Sequence, residues 1–268
     1  MLRSGDAALL IDPFLSARAD LLVRPALLPG SLAAMSAILA THEHRDHLDL
    51  PVLPALAAAS PDARVVVPAP VVDLVRPLAG DDRAVGAVVD DEIVVGAARI
   101  VPVPALHGVT MADAYTFGKE RSGGLHRYLG YVIELGGVRV YHAGDTLRYD
   151  GQAERLRALR IDIALVPING RSAEREARGI VGNMGYAEAA DLVAEAGIPT
   201  LIPMHHDTID GNTGSVSALA AYAAERHPDL MIIDLPPFSE RAWPAARRRA
   251  ARSFGGTGPS ASGRRGWR

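Results

Sequence analysis

The apolar residues of this chain fall in short runs that predict β-strands, with helical patterns between some of them. Strands are expected at residues 7–11, 35–40, 64–67, 129–135, 138–142, 163–168, 200–202 and 230–233, and two or three more within 85–103. The Gly136-Gly137 pair between two of these runs is typical of a hairpin turn. Helices are expected at residues 50–59, 152–159, 186–196 and 216–226, with Ser215 as the N-cap of the last. The pattern indicates an α/β protein.

Residues 42–47, which follow the second predicted strand, hold four side chains that can bind a metal ion. Their sequence is His-Glu-His-Arg-Asp-His. His42 and His44 lie two residues apart in an extended segment and point to the same side, whereas the neighbours Asp46 and His47 diverge. The segment can therefore supply ligands to two metal ions, and two ions a few ångströms apart form a hydrolytic centre.

Three more candidate ligands follow three other predicted strands. His107 comes after the strand that ends near residue 103, Asp145 after the strand 138–142, and His205 after the strand 200–202. Catalytic residues gather in loops at one edge of a sheet scaffold. His205 and His206 point apart as neighbours, so only one of them is expected to reach a metal ion. The arrangement predicts a four-layer αβ/βα sandwich with a site at the rims of its sheets.

These motifs resemble those of the metallo-β-lactamase superfamily. The resemblance is carried by residues 42–47, by His107, by residues 142–146 (His-Ala-Gly-Asp-Thr) and by residues 203–207 (Pro-Met-His-His-Asp). Residues 10–14 (Leu-Ile-Asp-Pro-Phe), 141–146 and 183–184, together with 203–207, resemble the L-ascorbate-6-phosphate lactonase-like branch. The similarity extends from about residue 9 to residue 234. It implies the metallo-β-lactamase fold and metal-dependent hydrolysis.

The resemblance also implies a set of ligands for two divalent metal ions. One ion would be held by His42, His44 and His107 and the other by Asp46, His47 and His205, with Asp145 as a bridge and His205 preferred over His206. Asp12 would orient a ligand through a hydrogen bond. The nitrogen and oxygen ligands suit zinc or manganese, and also iron. Members of the family usually have a further strand before residues 10–13; only a few residues precede that segment here, so this strand is expected to be missing.

Candidate catalytic and substrate-binding residues lie around this ligand set. Asp46 could steer the attacking hydroxide, and His126 or His206 could protonate the leaving alkoxide. The segment 108–127 could be a lid that binds an anionic group or an ordinary surface loop. The candidate cations for such a group are Lys119, which is the only lysine in the chain, Arg121 and Arg171.

Composition and charge restrict the function further. The chain has no cysteine, which excludes disulfides, thiolate metal ligands and cysteine nucleophiles. No secretory signal and no apolar run of about 18 residues is visible, so a cytoplasmic location without membrane contact is expected. Subtracting the seven arginines that follow Ala246 from the net charge of −3 leaves −10 for the body. An acidic body argues against a nucleic-acid partner.

We expect one hydrolase domain at residues 1–240 and a disordered Arg/Gly/Ser-rich tail at 241–268. The favoured function is hydrolysis of a small anionic ester, above all a lactone of the phosphorylated sugar-acid type. The alternatives are a phosphodiesterase or nuclease of the same superfamily and a non-catalytic metal-binding member. Di-iron redox members carry Glu in place of the second motif histidine; position 44 is His, which argues against that chemistry. Either a monomer or a homo-oligomer is compatible with the sequence.

Overall fold

A computed structural model describes residues 1–243 of the 268-residue chain. Two β-sheets form its centre, and helices cover the outer face of each sheet. The first sheet has the strand order β1-β2-β3-β4-β5. These strands are β1 (Leu2–Ser4), β2 (Ala7–Ile11), β3 (Ala37–Leu39), β4 (Arg64–Pro68) and β5 (Ala84–Ala87). Strands β2 to β5 are parallel, whereas β1 pairs with β2 in the antiparallel sense.

The second sheet has seven strands in the order β12-β11-β10-β9-β8-β7-β6. Strands β9 to β12 are parallel, and β6 to β9 form an antiparallel meander. The strands are β6 (Ile93–Val95), β7 (Ala98–Pro104), β8 (Leu129–Leu135), β9 (Val138–His142), β10 (Ile163–Pro167), β11 (Thr200–Met204) and β12 (Met231–Ile232). The predicted Gly136-Gly137 turn joins β8 to β9, and both glycines have positive φ angles, as a two-residue hairpin turn requires.

Alternation of side chains along the strands produces the layers. Leu9 and Leu39 face the second sheet, while their neighbours Leu10 and Ile38 face the helices on the outside. Successive residues of a strand point to opposite faces, so a strand that is apolar on both faces must be buried on both. The result is the predicted four-layer αβ/βα sandwich, with one core between the sheets and one beneath each helical layer.

The helices agree with the sequence pattern where that pattern is long. They are α1 (Leu53–Ala59), α2 (Arg76–Ala79), α3 (Gln152–Leu159), α4 (Ala173–Ala177), α5 (Tyr186–Glu195) and α6 (Val216–Arg226). Ser215 caps α6 as expected, since its side chain accepts a hydrogen bond from the Ala218 backbone. The short helices α2 and α4 were not predicted, because four or five residues carry no measurable helical period. Among residues 1–243 no helix is long and apolar enough to cross a membrane.

The N-terminal edge of the first sheet corrects one expectation. The strand before β2 is not missing: Leu2–Ser4 pairs with residues 7–9 through a tight turn at Gly5, whose φ is +56°. Glycine reaches this conformation without steric cost, which lets two such short segments pair. The predicted tail lies outside the described residues, apart from positions 241–243.

Candidate metal centre

The structure brings all seven predicted ligands together at one edge of the sandwich. Each comes from a loop directly after the C-terminal end of a strand: β3 leads to residues 42–47, β7 to His107, β9 to Asp145 and β11 to His205. Within each of two groups the potential ligand atoms lie within 4.8 Å of one another. The first group is His42, His44, His107 and Asp145, and the second is Asp46, His47 and His205. The two groups have the members of the two expected sites, except that the expected bridging residue Asp145 falls within the first group.

Asp145 lies between the two groups. Its Oδ2 is 3.7 Å from His107 Nε2 of the first group and 3.4 Å from His205 Nε2 of the second, and its Oδ1 is 3.3 Å from His47 Nε2. Asp46 is 3.4 Å from His205 and 3.7 Å from His47, and therefore lies on the second group only. One carboxylate in reach of both groups is the arrangement that a bridging ligand needs.

Hydrogen bonds between Asp12, Thr41 and His47 hold the loop of residues 42–47 in place. Asp12 Oδ1 accepts a hydrogen bond from the Thr41 backbone N–H (2.8 Å), and its Oδ2 accepts from the Thr41 hydroxyl (2.8 Å) and from His47 Nδ1 (2.7 Å). With its proton on Nδ1, His47 has a free lone pair on Nε2, which faces the site. An acceptor at Nδ1 determines which imidazole nitrogen carries the proton, and this is the role that the resemblance implies for Asp12.

The ring of His44 is oriented in the opposite sense to that of His47, with Nδ1 and not Nε2 facing the site. Its Nδ1 faces the first group, 2.8 Å from His42 Nε2 and 3.2 Å from His107 Nε2. Its Nε2 lies 2.9 Å from the Val109 carbonyl oxygen, which can only accept a hydrogen bond. The proton of a neutral His44 therefore lies on Nε2, and Nδ1 is left as the ligand atom.

Two site residues adopt left-handed backbone conformations that non-glycine residues rarely adopt. Asp12 has φ +47° and His205 has φ +56°. Each such residue costs about 1 kcal/mol or more and persists where the surroundings enforce it, which is common at functional sites. For His205 the conformation directs the side chain to Asp46 and Asp145 directly after β11 ends.

The charges of the site suit a cation. Burial would raise the pKa of Asp145, but His205 and His47 hold that pKa well below its usual range. Burial would likewise raise the pKa of Asp46, and His47 and His205 again lower it. Burial lowers the pKa of His107 to about 3, which keeps its imidazole neutral. Burial would also lower the pKa values of His47 and His205, but Asp145 and the neighbouring carboxylates raise them, that of His47 well above its usual range. Since ionised carboxylates and neutral imidazoles are the forms that bind divalent metals, a metal ion would displace the protons of these two imidazoles.

Two buried polar atoms without a hydrogen-bond partner among residues 1–243 also suggest that these residues fit a metal ion. His47 Nε2 and Asp145 Oδ1 are buried and make no hydrogen bond within the described part of the chain, although they are 3.3 Å apart. Buried polar atoms without a partner are rare and call for an explanation. A metal ion would bond to both, and a set of imidazole nitrogens and carboxylate oxygens suits zinc, manganese or iron.

The predicted proton donors differ in their surroundings. His206 follows ligand His205 directly and is half-buried. The ring of His126 packs edge-on against Phe117, and burial together with Lys119 and Arg155 lowers its pKa to about 4. Little protonated His126 is therefore present at neutral pH. Of these two cations, Lys119 lies in the segment 108–127 and Arg155 in α3, and neither belongs to the ligand set.

The predicted substrate cations all lie on loops, in different settings. Lys119 is exposed, with its ammonium 5.5 Å from the Phe117 ring centroid. Arg171 is exposed and lies over the Tyr115 ring at 5.6 Å, with Glu188 at 3.9 Å. Arg121 is less available than expected, because its guanidinium is paired with Asp113 and hydrogen-bonded to the Tyr128 hydroxyl. None of these contacts was visible in the sequence pattern.

Supporting residues that the sequence analysis missed hold the loops in place. Asp49 is 3% exposed and accepts hydrogen bonds from the Leu15 and Ser16 backbones, which ties the loop after β2 to the ligand loop. Glu43, between two ligands, forms an ion pair with Arg127. The only available signal was the position of Glu43 and Asp49 within or beside the motif, and their partners are distant in sequence.

Comparison with known proteins agrees with this fold. The family described as beta-lactamase superfamily domain matches residues 8–206. A UPF0173 metal-dependent hydrolase of Thermococcus kodakarensis is 31% identical over 209 residues, which cover 76% of this chain and 79% of the relative. Among solved structures, the isothiocyanate hydrolase from Delia radicum gut bacteria superposes with a TM-score of 0.62 at 20% identity, covering 85% of this chain and 89% of that one.

A second solved structure shows the range of chemistry on this fold. CmlA, a di-iron β-hydroxylase from Streptomyces venezuelae, superposes with a TM-score of 0.56 at 16% identity, over 83% of this chain and 45% of that one. Such distant likenesses establish the fold alone. The matched domain and the sequence relatives establish more: a family of metal-dependent hydrolases, which agrees with the candidate His/Asp metal-binding cluster of this chain. The chain belongs to the UPF0173 metal-dependent hydrolases of the β-lactamase superfamily.

Proposed function

We propose that the chain uses two divalent metal ions to hydrolyse a small anionic ester, with a lactone of a phosphorylated sugar acid as the substrate type. The position of Asp145 carries the proposal: one buried carboxylate within 3.3–3.7 Å of imidazoles from both groups suits two ions that share a ligand. When bound, such ions lower the pKa of water to about 7 and polarise the oxygen under attack.

The chain's own residues then divide the remaining tasks. The Asp46 side chain is 20% exposed and that of Asp145 is 5% exposed, so Asp46 is the carboxylate that incoming water can reach. Asp46 is proposed to orient the attacking water and to accept its proton. Opening of a lactone leaves an alkoxide, which takes a proton from His206. Both roles are general acid–base steps of the kind that contribute about 10²–10⁴-fold in rate.

His206 should matter for leaving groups that need a proton. We expect His206→Ala to lower kcat for an aliphatic lactone by about 10²-fold and to lower it far less for a p-nitrophenyl ester, whose leaving group departs without protonation. His126→Ala is the matched control and should retain nearly the wild-type rate on both. The reverse ranking of the two variants in steady-state assays would assign the proton to His126.

Arg171 and Lys119 are proposed to bind the anionic group of the substrate. Removing either cation should raise KM for a phosphorylated lactone by about 10-fold, the value of one charge-assisted hydrogen bond. KM for the unphosphorylated analogue should stay unchanged, since that substrate offers no charge to bind. Arg148→Ala, which removes a partly exposed arginine paired with Glu195, is the control. Equal effects on both substrates would show that neither cation contacts the phosphate.

The proposal as a whole is tested by metal content and a substrate screen. We expect elemental analysis of the purified full-length chain to give two divalent ions per chain, and hydrolysis of phosphorylated lactones in preference to phosphodiesters with the same metal. Turnover of phosphodiesters alone would make the protein a phosphodiesterase. Two bound ions without turnover of esters, lactones or phosphodiesters would make it a non-catalytic metal-binding member.

A further inference from the structure

A chain of hydrogen bonds leads from ligand His44 into the predicted lid. His44 Nε2 donates to the Val109 carbonyl (2.9 Å), and the Val109 backbone N–H lies 3.3 Å from the Tyr128 hydroxyl oxygen. The Tyr128 hydroxyl in turn donates to Asp113 Oδ2. Val109 and Asp113 belong to the start of the segment 108–127, and Tyr128 directly follows its end. Both ends of the lid are therefore connected to Nε2 of His44, the nitrogen that faces away from the first ligand group.

Asp113 closes the base of the lid. Its Oδ1 accepts from the Thr110 backbone N–H (2.8 Å) and hydroxyl (3.0 Å), and its Oδ2 accepts from Tyr128 and Arg121. Tyr128 is fully buried, and its ring centroid lies 5.8 Å from that of His107 in an edge-on contact. The tyrosine thus contacts the first ligand group through its ring and the lid through its hydroxyl.

A second contact joins the same two parts. Arg127, next to Tyr128, forms an ion pair with Glu43, next to His44, and both side chains are mostly buried (19% and 14% exposed). Gly118, inside the lid, packs against Arg127 so closely that a Cβ there would lie 2.8 Å from the Arg127 Cβ. Two neighbouring lid-end residues therefore hold two neighbouring residues of the ligand loop. The second ligand group has no such contact with the lid among the described residues.

We propose that Tyr128 and Asp113 are positioning residues that couple closure of the lid to metal binding by the group of His42, His44 and His107. With the lid closed, the Val109 carbonyl fixes the His44 proton on Nε2 and leaves Nδ1 free for the metal. With the lid open, His44 loses that partner and the group binds metal less tightly. Coupling is reciprocal, so metal binding must favour the closed lid to the same extent. The inference rests on the proposed metal centre.

The first test measures metal affinity in the full-length chain. Zn²⁺ is titrated calorimetrically into chelator-treated Tyr128→Phe, with Tyr141→Phe as the control because Tyr141 is equally buried but lies on β9 and makes no lid contact. In a His205→Ala background, which leaves the first group intact, Tyr128→Phe should weaken Zn²⁺ binding about 10-fold, the lower end for loss of a ligand-orienting partner. In a His107→Ala background it should have no effect.

The second test uses the single lysine of the chain. Lys119 is exposed in the lid, so a lysine-specific protease can cut only there. We expect Zn²⁺ to slow this cleavage in the wild type, and Tyr128→Phe to need about 10-fold more Zn²⁺ for the same protection. Asp113→Asn, which preserves the shape of the side chain, should behave as Tyr128→Phe does and serves if that variant does not fold.

The outcomes separate the inference from the proposed function. If the wild type binds no Zn²⁺, the metal centre itself is wrong. If it binds two ions but Zn²⁺ leaves cleavage after Lys119 unchanged, the centre stands and the coupling is overturned. The same holds if Tyr128→Phe weakens Zn²⁺ binding equally in both backgrounds, or no more than the control Tyr141→Phe does. A purely structural role of Tyr128 would lower the thermal unfolding temperature without distinguishing the two backgrounds.

Discussion

Replacing Asp145 by Asn should remove both metal ions, whereas His107→Ala should remove only one. Asp145 is within 3.7 Å of imidazoles from both groups, and His107 belongs to the first alone. A four-ligand zinc site binds with about 10–16 kcal/mol, so each ligand contributes roughly 3 kcal/mol, or about 100-fold in affinity. Loss of the shared carboxylate applies that factor to both ions and should abolish hydrolysis. Elemental analysis and turnover of the same preparation measure both effects.

The difference in metal content between Asp145→Asn and His107→Ala tests the shared carboxylate more directly than the loss of metal from either variant alone. Glu195→Gln removes an exposed carboxylate paired with Arg148 and should keep two ions and full turnover. If Asp145→Asn retained one ion per chain, Asp145 would belong to a single group. The second group would then be completed by Asp46, His47 and His205 without it, and the proposal of a shared carboxylate would be withdrawn.

Much of this fold was predictable because it depends on local patterns. Apolar runs with a period of two residues located most strands, and Gly136-Gly137 located a hairpin. The four-layer arrangement follows from strands such as β2, where Leu9 and Leu10 are both buried although they point to opposite faces. The missed elements are those with the least pattern: β1, with three residues, and the short helices α2 and α4. Their formation depends on pairing and packing with distant residues, which overrides local propensity.

The clustering of the candidate ligands was predictable for a related reason. Every predicted ligand directly follows a strand, and the carboxyl ends of these strands lie at one edge, so position along the chain determines position in space. No such relation between position along the chain and position in space applies to the lid. Arg121 pairs with Asp113, and His126 packs on Phe117, through contacts that no strand order dictates. The hydrogen-bond partners of the ligands, such as the Val109 carbonyl of His44, are backbone atoms that the sequence does not identify.

Asp12→Asn should remove metal selectively from the group of Asp46, His47 and His205. In the wild type Asp12 Oδ2 accepts the His47 Nδ1 proton, which leaves Nε2 free for the metal. An Asn whose oxygen still accepts from the Thr41 backbone presents its NH2 to His47. His47 must then accept through Nδ1 and carry its proton on Nε2, the atom that faces the metal. The cost for a lost orienting partner is about 10–100-fold in affinity.

The opposite amide orientation does not avoid the cost. It would leave His47 its acceptor but set the NH2 against the Thr41 N–H, and a buried donor without a partner costs about 1–3 kcal/mol in the free energy of unfolding. Asp49→Asn is the matched control, because Asp49 is also buried and binds backbone N–H groups but contacts no ligand. Zn²⁺ titration and thermal unfolding of both variants separate the two effects. Unchanged metal affinity and unchanged stability in Asp12→Asn would mean that Asp12 does not set the tautomer of His47. The hydrogen bond to Asp12 would then not explain why His47 Nε2 is free to bind a metal ion of the second group.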